Sequence, residues 1–225
     1  MTTLNIIADG IHFITHLNDY LNVWMQEYGN WLYGILFLII FVETGLVVMP
    51  LLPGDSLLFA AGALAANPAN NFSIYILIPL LICAALLGDN TNYFIGSKIG
   101  VRIFNLKWRL LKKEYLDRTH EFYEKHGGKA LIMARFVPII RTFAPFAAGL
   151  GTMTYRKFIG YCIAGAVLWV VSISVAGYLL GQHPWVKNNF EKVVLGIILV
   201  SLLPVIWQFV KSKFSGKEKK SIIDA

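Results

Sequence analysis

Between Ala130 and Met153 the chain reads ALIMARFVPIIRTFAPFAAGLGTM, a run apolar enough to enter a bilayer that nevertheless carries Arg135, Arg141, Pro138 and Pro145. An arginine at bilayer depth costs a few kcal/mol, roughly 2.5–3.5 on insertion scales, and is retained where it faces a bundle interior or a wet cavity. Pro138 removes a backbone donor and disfavours helix at Val137, and Pro145, Gly149 and Gly151 weaken helix further on. The pattern argues against a straight spanning helix. Broken backbone at membrane depth is tolerated only where it is buried in protein or lines a cavity, so the stretch reads as a re-entrant hairpin holding two cations inside the membrane.

The rest of the composition agrees with a membrane protein: 56% of the 225 residues are hydrophobic, and several segments approach the ~20 apolar residues a span requires. Every Lys and Arg lies from Lys98 onward, whereas residues 1–97 carry only Asp9, Asp19, Glu27, Glu43, Asp55 and Asp89. In a membrane protein such asymmetry reports orientation by the positive-inside rule, and the net +7 is read that way and not as a sign of nucleic-acid binding. Cys83 and Cys162 stand in apolar segments without metal or redox spacing and read as small core residues. No basic stretch precedes an apolar core at the N-terminus, so no cleaved signal peptide is expected.

Along the chain, Ile7, Ile11, Ile14, Leu17, Leu21 and Trp24 recur at helical steps and predict an amphipathic surface helix within residues 1–30. Its polar face carries Asp9, His12, His16 and Asp19, which reads as a solvated face and not a metal site. The membrane domain follows over 31–210. Trp31 to Met49 reads as a first span, and Pro50, Pro53 and Gly54 break helix just before Asp55, so a short apolar run to Ala66 gives a second re-entrant signature near 50–66. Phe72 to Ile99 is expected to cross, interrupted by the polar cluster Gly88, Asp89, Asn90 and Asn92. Residues 98–129 hold nine basic residues against four acids and read as a basic amphipathic surface helix able to attract anionic lipid. Phe158 to Leu180 and Val193 to Val210 complete about four spans, and residues 211–225 form a basic cytoplasmic tail.

Counting back from that tail sets the central hairpin, near 130–153, opening to the cytoplasm and the first hairpin opening to the other side. Phe59-Ala60-Ala61-Gly62 after the first break and Phe146-Ala147-Ala148-Gly149 after the second hint at a repeat. The expected fold is therefore all-α, with two opposed re-entrant hairpins in an inverted repeat, an arrangement in which substrate and coupling ion meet near the midplane.

Paired arginines suit an anion, because the guanidinium stays charged and its fork matches phosphate oxygens. Arg135 and Arg141 are the candidate phosphate ligands, the break at Pro138 letting each sit on its own limb. Glu43 and Asp55 are the candidate carriers of a coupling proton, and Asp89, Pro53, Gly54, Pro138 and Pro145 are accessory candidates. The same charges also permit permanent buried pairs that merely pin the hairpins, and Asp89 reads more readily as a helix-end or hydrogen-bonding group beside Asn90 and Asn92. No Gly-x-Gly-Asp, phosphatase-type His or Walker loop is present, so no enzyme, catalytic residue, metal or cofactor is expected.

Phe41-Val42-Glu43-Thr44-Gly45, Leu52-Pro53-Gly54-Asp55, Gly88-Asp89-Asn90-x-Asn92-Tyr93-x-Ile95-Gly96, Phe122-Tyr123-x-Lys125-His126-Gly127-Gly128 and Ala134-Arg135-Phe136-x-Pro138-x-x-Arg141-x-x-x-Pro145-x-x-Ala148-Gly149 together resemble the DedA family of bacterial inner-membrane proteins, over essentially the whole chain. The resemblance implies two opposed re-entrant hairpins and lipid transport, shared with eukaryotic VTT-domain scramblases. It further implies flipping of undecaprenyl phosphate or phosphatidylethanolamine, links to the proton motive force and the cell envelope, and functional roles for Glu43, Asp55, Arg135 and Arg141. The expectation is a lipid flippase of the inner membrane coupled to protons or sodium, with a cytoplasmic C-terminus. A passive scramblase and a non-transporting envelope scaffold are the alternatives, and a homo-oligomer is left open.

Overall fold

The computed structural model describes residues 23, 27–45, 54–70, 72–105, 127–151, 153–190, 192–197 and 199. Among them all regular structure is helical: α1 (Trp31–Gly45), α2 (Gly54–Ala65), α3 (Ile74–Asn105), α4 (Lys129–Ala134), α5 (Pro138–Gly151), α6 (Tyr155–Leu180) and the short α7 (Pro184–Asn188), with a 3-10 turn at Pro68–Asn70. Two are long and apolar enough to cross a membrane, Ile74–Lys98 within α3 and Tyr155–Leu180. Their outward faces carry exposed Ile76, Leu87, Phe94, Ile163, Leu168 and Leu179, the side chains a lipid-facing surface requires.

The side-chain contacts fix the direction of each helix. Tyr33 stacks on Phe72 at a centroid distance of 4.4 Å and accepts a hydrogen bond from the Ser73 amide at 2.7 Å, so α1 and α3 begin together. They stay together, because Asn92 Nδ2 donates to Thr44 O at 2.6 Å. Hence α1 runs parallel to α3, and α2, which starts at the Glu43 end of α1, must return. The second half repeats this path. Gly128 lies against Tyr161 and Gly165 against Arg135 and Ile132, so α4 runs parallel to α6 and α5 is the returning limb.

The halves exchange their returning limbs. Within α2, a Cβ on Gly62 would strike the Ser174 carbonyl of α6, and a Cβ on Gly177 would strike the Phe59 carbonyl in return. The same exchange relates Gly149 of α5 to the Tyr93 carbonyl of α3 and Gly96 to the Phe146 carbonyl. Each contact joins residues three apart on both partners, so Phe59 with Gly62 matches Phe146 with Gly149, and Ser174 with Gly177 matches Tyr93 with Gly96. Helices approach this closely only where side chains are missing from the seam. The Tyr93 ring stacks on Phe158 at 4.2 Å, while Ala84 and Ala85 join the cluster of Ala166, Trp169 and Val170. Later α3 therefore meets earlier α6, and the two long helices are antiparallel.

Several readings of the sequence are corrected here. Of the expected Trp31 to Met49 span, the described part, α1, has 15 residues and shares the direction of α3, where opposite directions were expected; residues 46–49 lie outside the described residues. Pro145 does not end its helix, which runs unbroken to Gly151 with Pro145 buried inside it. Asp89 sits in the interior of one continuous α3, and Pro184 lies in the short α7 and not in a plain turn. Cys162 is buried as expected, but Cys83 is exposed. The break at Pro138 is observed: the amides of Arg135, Phe136 and Val137 bond three residues back and α5 starts afresh. The N-terminal amphipathic helix (apart from 23 and 27–30), Pro53, most of the basic segment to Lys129 and nearly all of the final span and tail lie outside the described residues.

Gly96→Ala and Gly177→Ala should each lower the stability of the purified protein by roughly 1–3 kcal/mol, the usual range for overpacking. Gly160→Ala, where a Cβ meets nothing within 4 Å, should leave the melting temperature unchanged.

Candidate functional site

Both hairpin tips reach the same place. Glu43 lies in the last turn of α1 and Asp55 in the first turn of α2, while Arg135 caps α4 and Arg141 lies in the first turn of α5. Arg141 is 4% exposed and bridges two acids, with Nη2 on Glu43 and Nη1 on Asp55 Oδ1 at 3.0 Å. Arg135, also 4% exposed, pairs through Nη2 with Asp89 Oδ2 of α3. The four predicted residues are thus brought together, but the acids from the first tip both engage Arg141, and Asp89 supplies Arg135. Asp89 therefore moves from a helix-end role into the ionic centre.

Local packing admits these charges. A Cβ at Gly54 would collide with the Glu43 carboxylate, so only glycine lets that carboxylate close on the start of α2, where the Gly54 amide donates to Oε1 at 3.3 Å. A carboxylate at a helix N-terminus and a guanidinium at a helix C-terminus both complement the peptide dipoles, which describes Asp55 on α2 and Arg135 on α4; the Glu43 carboxylate, carried by the last turn of α1, reaches the α2 N-terminus through the Gly54 amide. Arg141 alone stands at a helix N-terminus, where the dipole favours an anion and opposes a cation. Its carboxylate partners compensate for that placement. Asn92 ties the tips to α3 through its bonds to Thr44 O and, at 3.3 Å, Thr142 O.

Trp169 of α6, fully buried, was not anticipated from the sequence. Its Nε1 donates to Asp55 Oδ1 at 2.8 Å, and its ring lies under Arg141 at 4.6 Å and Arg135 at 5.9 Å from centroid to guanidinium carbon. The available signal was position: tryptophan favours the membrane interface, and this one sits mid-way along a spanning helix.

Glu43, Asp55 and Asp89 thus face Arg135 and Arg141, three carboxylates against two guanidinium groups. Glu43 Oε2, Arg135 Nη1 and Arg141 Nε are buried with no protein hydrogen-bond partner. Buried polar atoms of native proteins are nearly always partnered, so these three are exceptions within the ionic centre.

Residues 52–179 match the family model of the VTT domain. A 211-residue match, covering 93% of this chain and 96% of its counterpart, is 50% identical to Protein DedA of Escherichia coli K12. The chain belongs to the VTT-domain, or DedA, family. An uncharacterised membrane protein of Mycobacterium tuberculosis is 48% identical over 77% of this chain and 76% of its own length, and the inner membrane protein YqjA of Escherichia coli K12 is 36% identical over 78% of each. No solved structure matches. The family assignment and the two long apolar helices make the chain a membrane protein; the matched domain contains Asp55, Asp89, Arg135, Arg141 and Trp169, and Glu43 precedes it.

Removing Asp89 or Arg135 alone, by Asp89→Ala or Arg135→Ala, should cost about 3–5 kcal/mol, because each leaves a buried charge unpaired. Thermal unfolding should show the loss largely recovered in Asp89→Leu with Arg135→Met.

Proposed function

We propose that this chain is an ion-coupled transporter of a phospho-headgroup lipid, for which undecaprenyl phosphate is the reference substrate, in a bacterial inner membrane with the C-terminus cytoplasmic. The finer fold belongs to the same reading. The hairpins α1–α2 and α4–α5 enter from opposite faces, α3, α6 and the 193–210 stretch cross, and the tips meet near the midplane.

The observation that carries the proposal is Arg141: a buried guanidinium at a helix N-terminus, held by two acids from the opposite hairpin. A lipid phosphate suits that position by charge, fork geometry and helix dipole, and Arg135 adds a second cation. To reach Arg141 the phosphate must replace Glu43 and Asp55. Bringing an anion to a centre that already has one excess carboxylate is electrostatically unfavourable, and each proton taken up by Glu43 or Asp55 removes one negative charge and releases Arg141. Phosphate entry and proton uptake are thereby linked, and the lipid's departure restores the ion pairs. A proton gradient across the membrane then gives the exchange a direction.

A scaffold of permanent pairs is the second reading, favoured by each of the five charged groups having an ion-pair partner. The two separate in proteoliposomes carrying labelled undecaprenyl phosphate or phosphatidylethanolamine, with and without a proton gradient. Arg141→Lys keeps the charge but loses the fork, so gradient-stimulated movement should fall about tenfold or more while the protein stays folded. Asp89→Leu with Arg135→Met should regain stability without regaining transport. Movement of both lipids regardless of gradient would identify a passive scramblase, and no movement by folded wild type would leave the scaffold.

A further inference from the structure

Gly165 and Trp169 lie one turn apart on the same face of α6, and both touch the ionic centre. A Cβ on Gly165 would come within 3.2 Å of Arg135 Nε and 3.3 Å of its Cδ, so the glycine gives that side chain its channel. One turn on, the buried indole underlies both guanidinium groups and closely approaches Arg141. The same Asp55 Oδ1 that receives Arg141 Nη1 also receives the indole N–H.

The geometry points to Trp169 as a positioning residue that holds the guanidinium plane of Arg141 fixed while the partners at its edge exchange. The two kinds of contact use different partners. Glu43 and Asp55 receive the N–H groups at the guanidinium edge, whereas the guanidinium carbon lies over the indole ring, 4.6 Å from its centroid. A phosphate monoester replacing the carboxylates must take the in-plane sites, and the face contact need not break. Without it, a released arginine would regain its rotamer freedom and the fork would be set again at each exchange. Cation–π attraction is strongest over tryptophan and grows with desolvation, as here. A lysine has no plane for the indole to hold. The charged groups at the indole are Asp55 of α2, Arg135 of α4 and Arg141 of α5, and the arginines in turn hold Asp89 of α3 and Glu43 of α1.

This inference rests on the phosphate reading for its ligand arm only. In that arm, the full-length protein in detergent is titrated with dihexanoyl phosphatidic acid, and in parallel with inorganic phosphate to separate a lipid ligand from a free one. Trp169→Phe keeps an aromatic face and should bind within about threefold of wild type, whereas Trp169→Leu should bind about tenfold more weakly. Equal binding by Trp169→Leu and wild type would overturn the assignment. The second arm needs no ligand. If the indole holds the guanidinium plane, Arg141→Lys should lower the melting temperature much more in wild type than in the Trp169→Leu background. Additive shifts would overturn the assignment. Non-additive shifts together with no phosphate binding by wild type would uphold it and remove the phosphate reading. Should Trp169→Leu not fold, the indole ¹⁵N–¹H resonance of Trp169 serves instead: it should move on Arg141→Lys, and an unmoved resonance would contradict the role.

Discussion

Everything else in this structure depends on the contact between Arg141 and the carboxylates of Glu43 and Asp55. A guanidinium buried to 4% exposure is tolerated only with its charge matched. The matching acids lie 98 and 86 residues earlier, on the opposite hairpin. The ion pair is thus also the joint between the two halves of the domain, and neither tip can be placed without the other. The second pair works the same way, since Arg135 reaches Asp89 on the long helix of the first half.

Around that joint the frame is apolar and close-packed. Each returning limb crosses the long helix of the other half at glycines with no room for a side chain, and these crossings lie one to two turns along the helices from the ionic centre. Backbone contact without flexible side chains makes a stiff support. Buried polar atoms without protein partners occur at the centre, where Arg135, Arg141 and Glu43 each keep one, and also at Ser56, Asn92 and Ser174. A rigid frame around an incompletely satisfied ionic centre is suited to exchanging partners, which a purely structural ion pair has no need to do.

What the sequence disclosed followed from the range of each signal. Charges and prolines inside apolar runs are local, so Glu43, Asp55, Arg135, Arg141 and the break at Pro138 were legible. The two Phe-Ala-Ala-Gly strings marked the repeat, but their counterparts at Ser174 with Gly177 and Tyr93 with Gly96 share no such string. The direction of α1 was not legible: a short apolar segment can run either way beside a long helix, and the direction is set by Tyr33 meeting Ser73 forty residues on. Asp89 was misjudged because the neighbouring asparagines suggested a helix end, while its partner stands 46 residues away. Trp169 was hidden among apolar neighbours that give no hint of a buried acceptor.

The central claim is that an anion displaces carboxylates from Arg141 and that protons follow. The measurement that tests it most directly is calorimetric binding of a short-chain phosphatidic acid to the full-length protein at one pH, in buffers of different ionisation enthalpy. The slope gives the protons exchanged on binding. Proton uptake with wild type, reduced in Asp55→Asn, is the predicted result. Saturable binding with no proton uptake would show that the phosphate does not displace the acids, and would contradict the account.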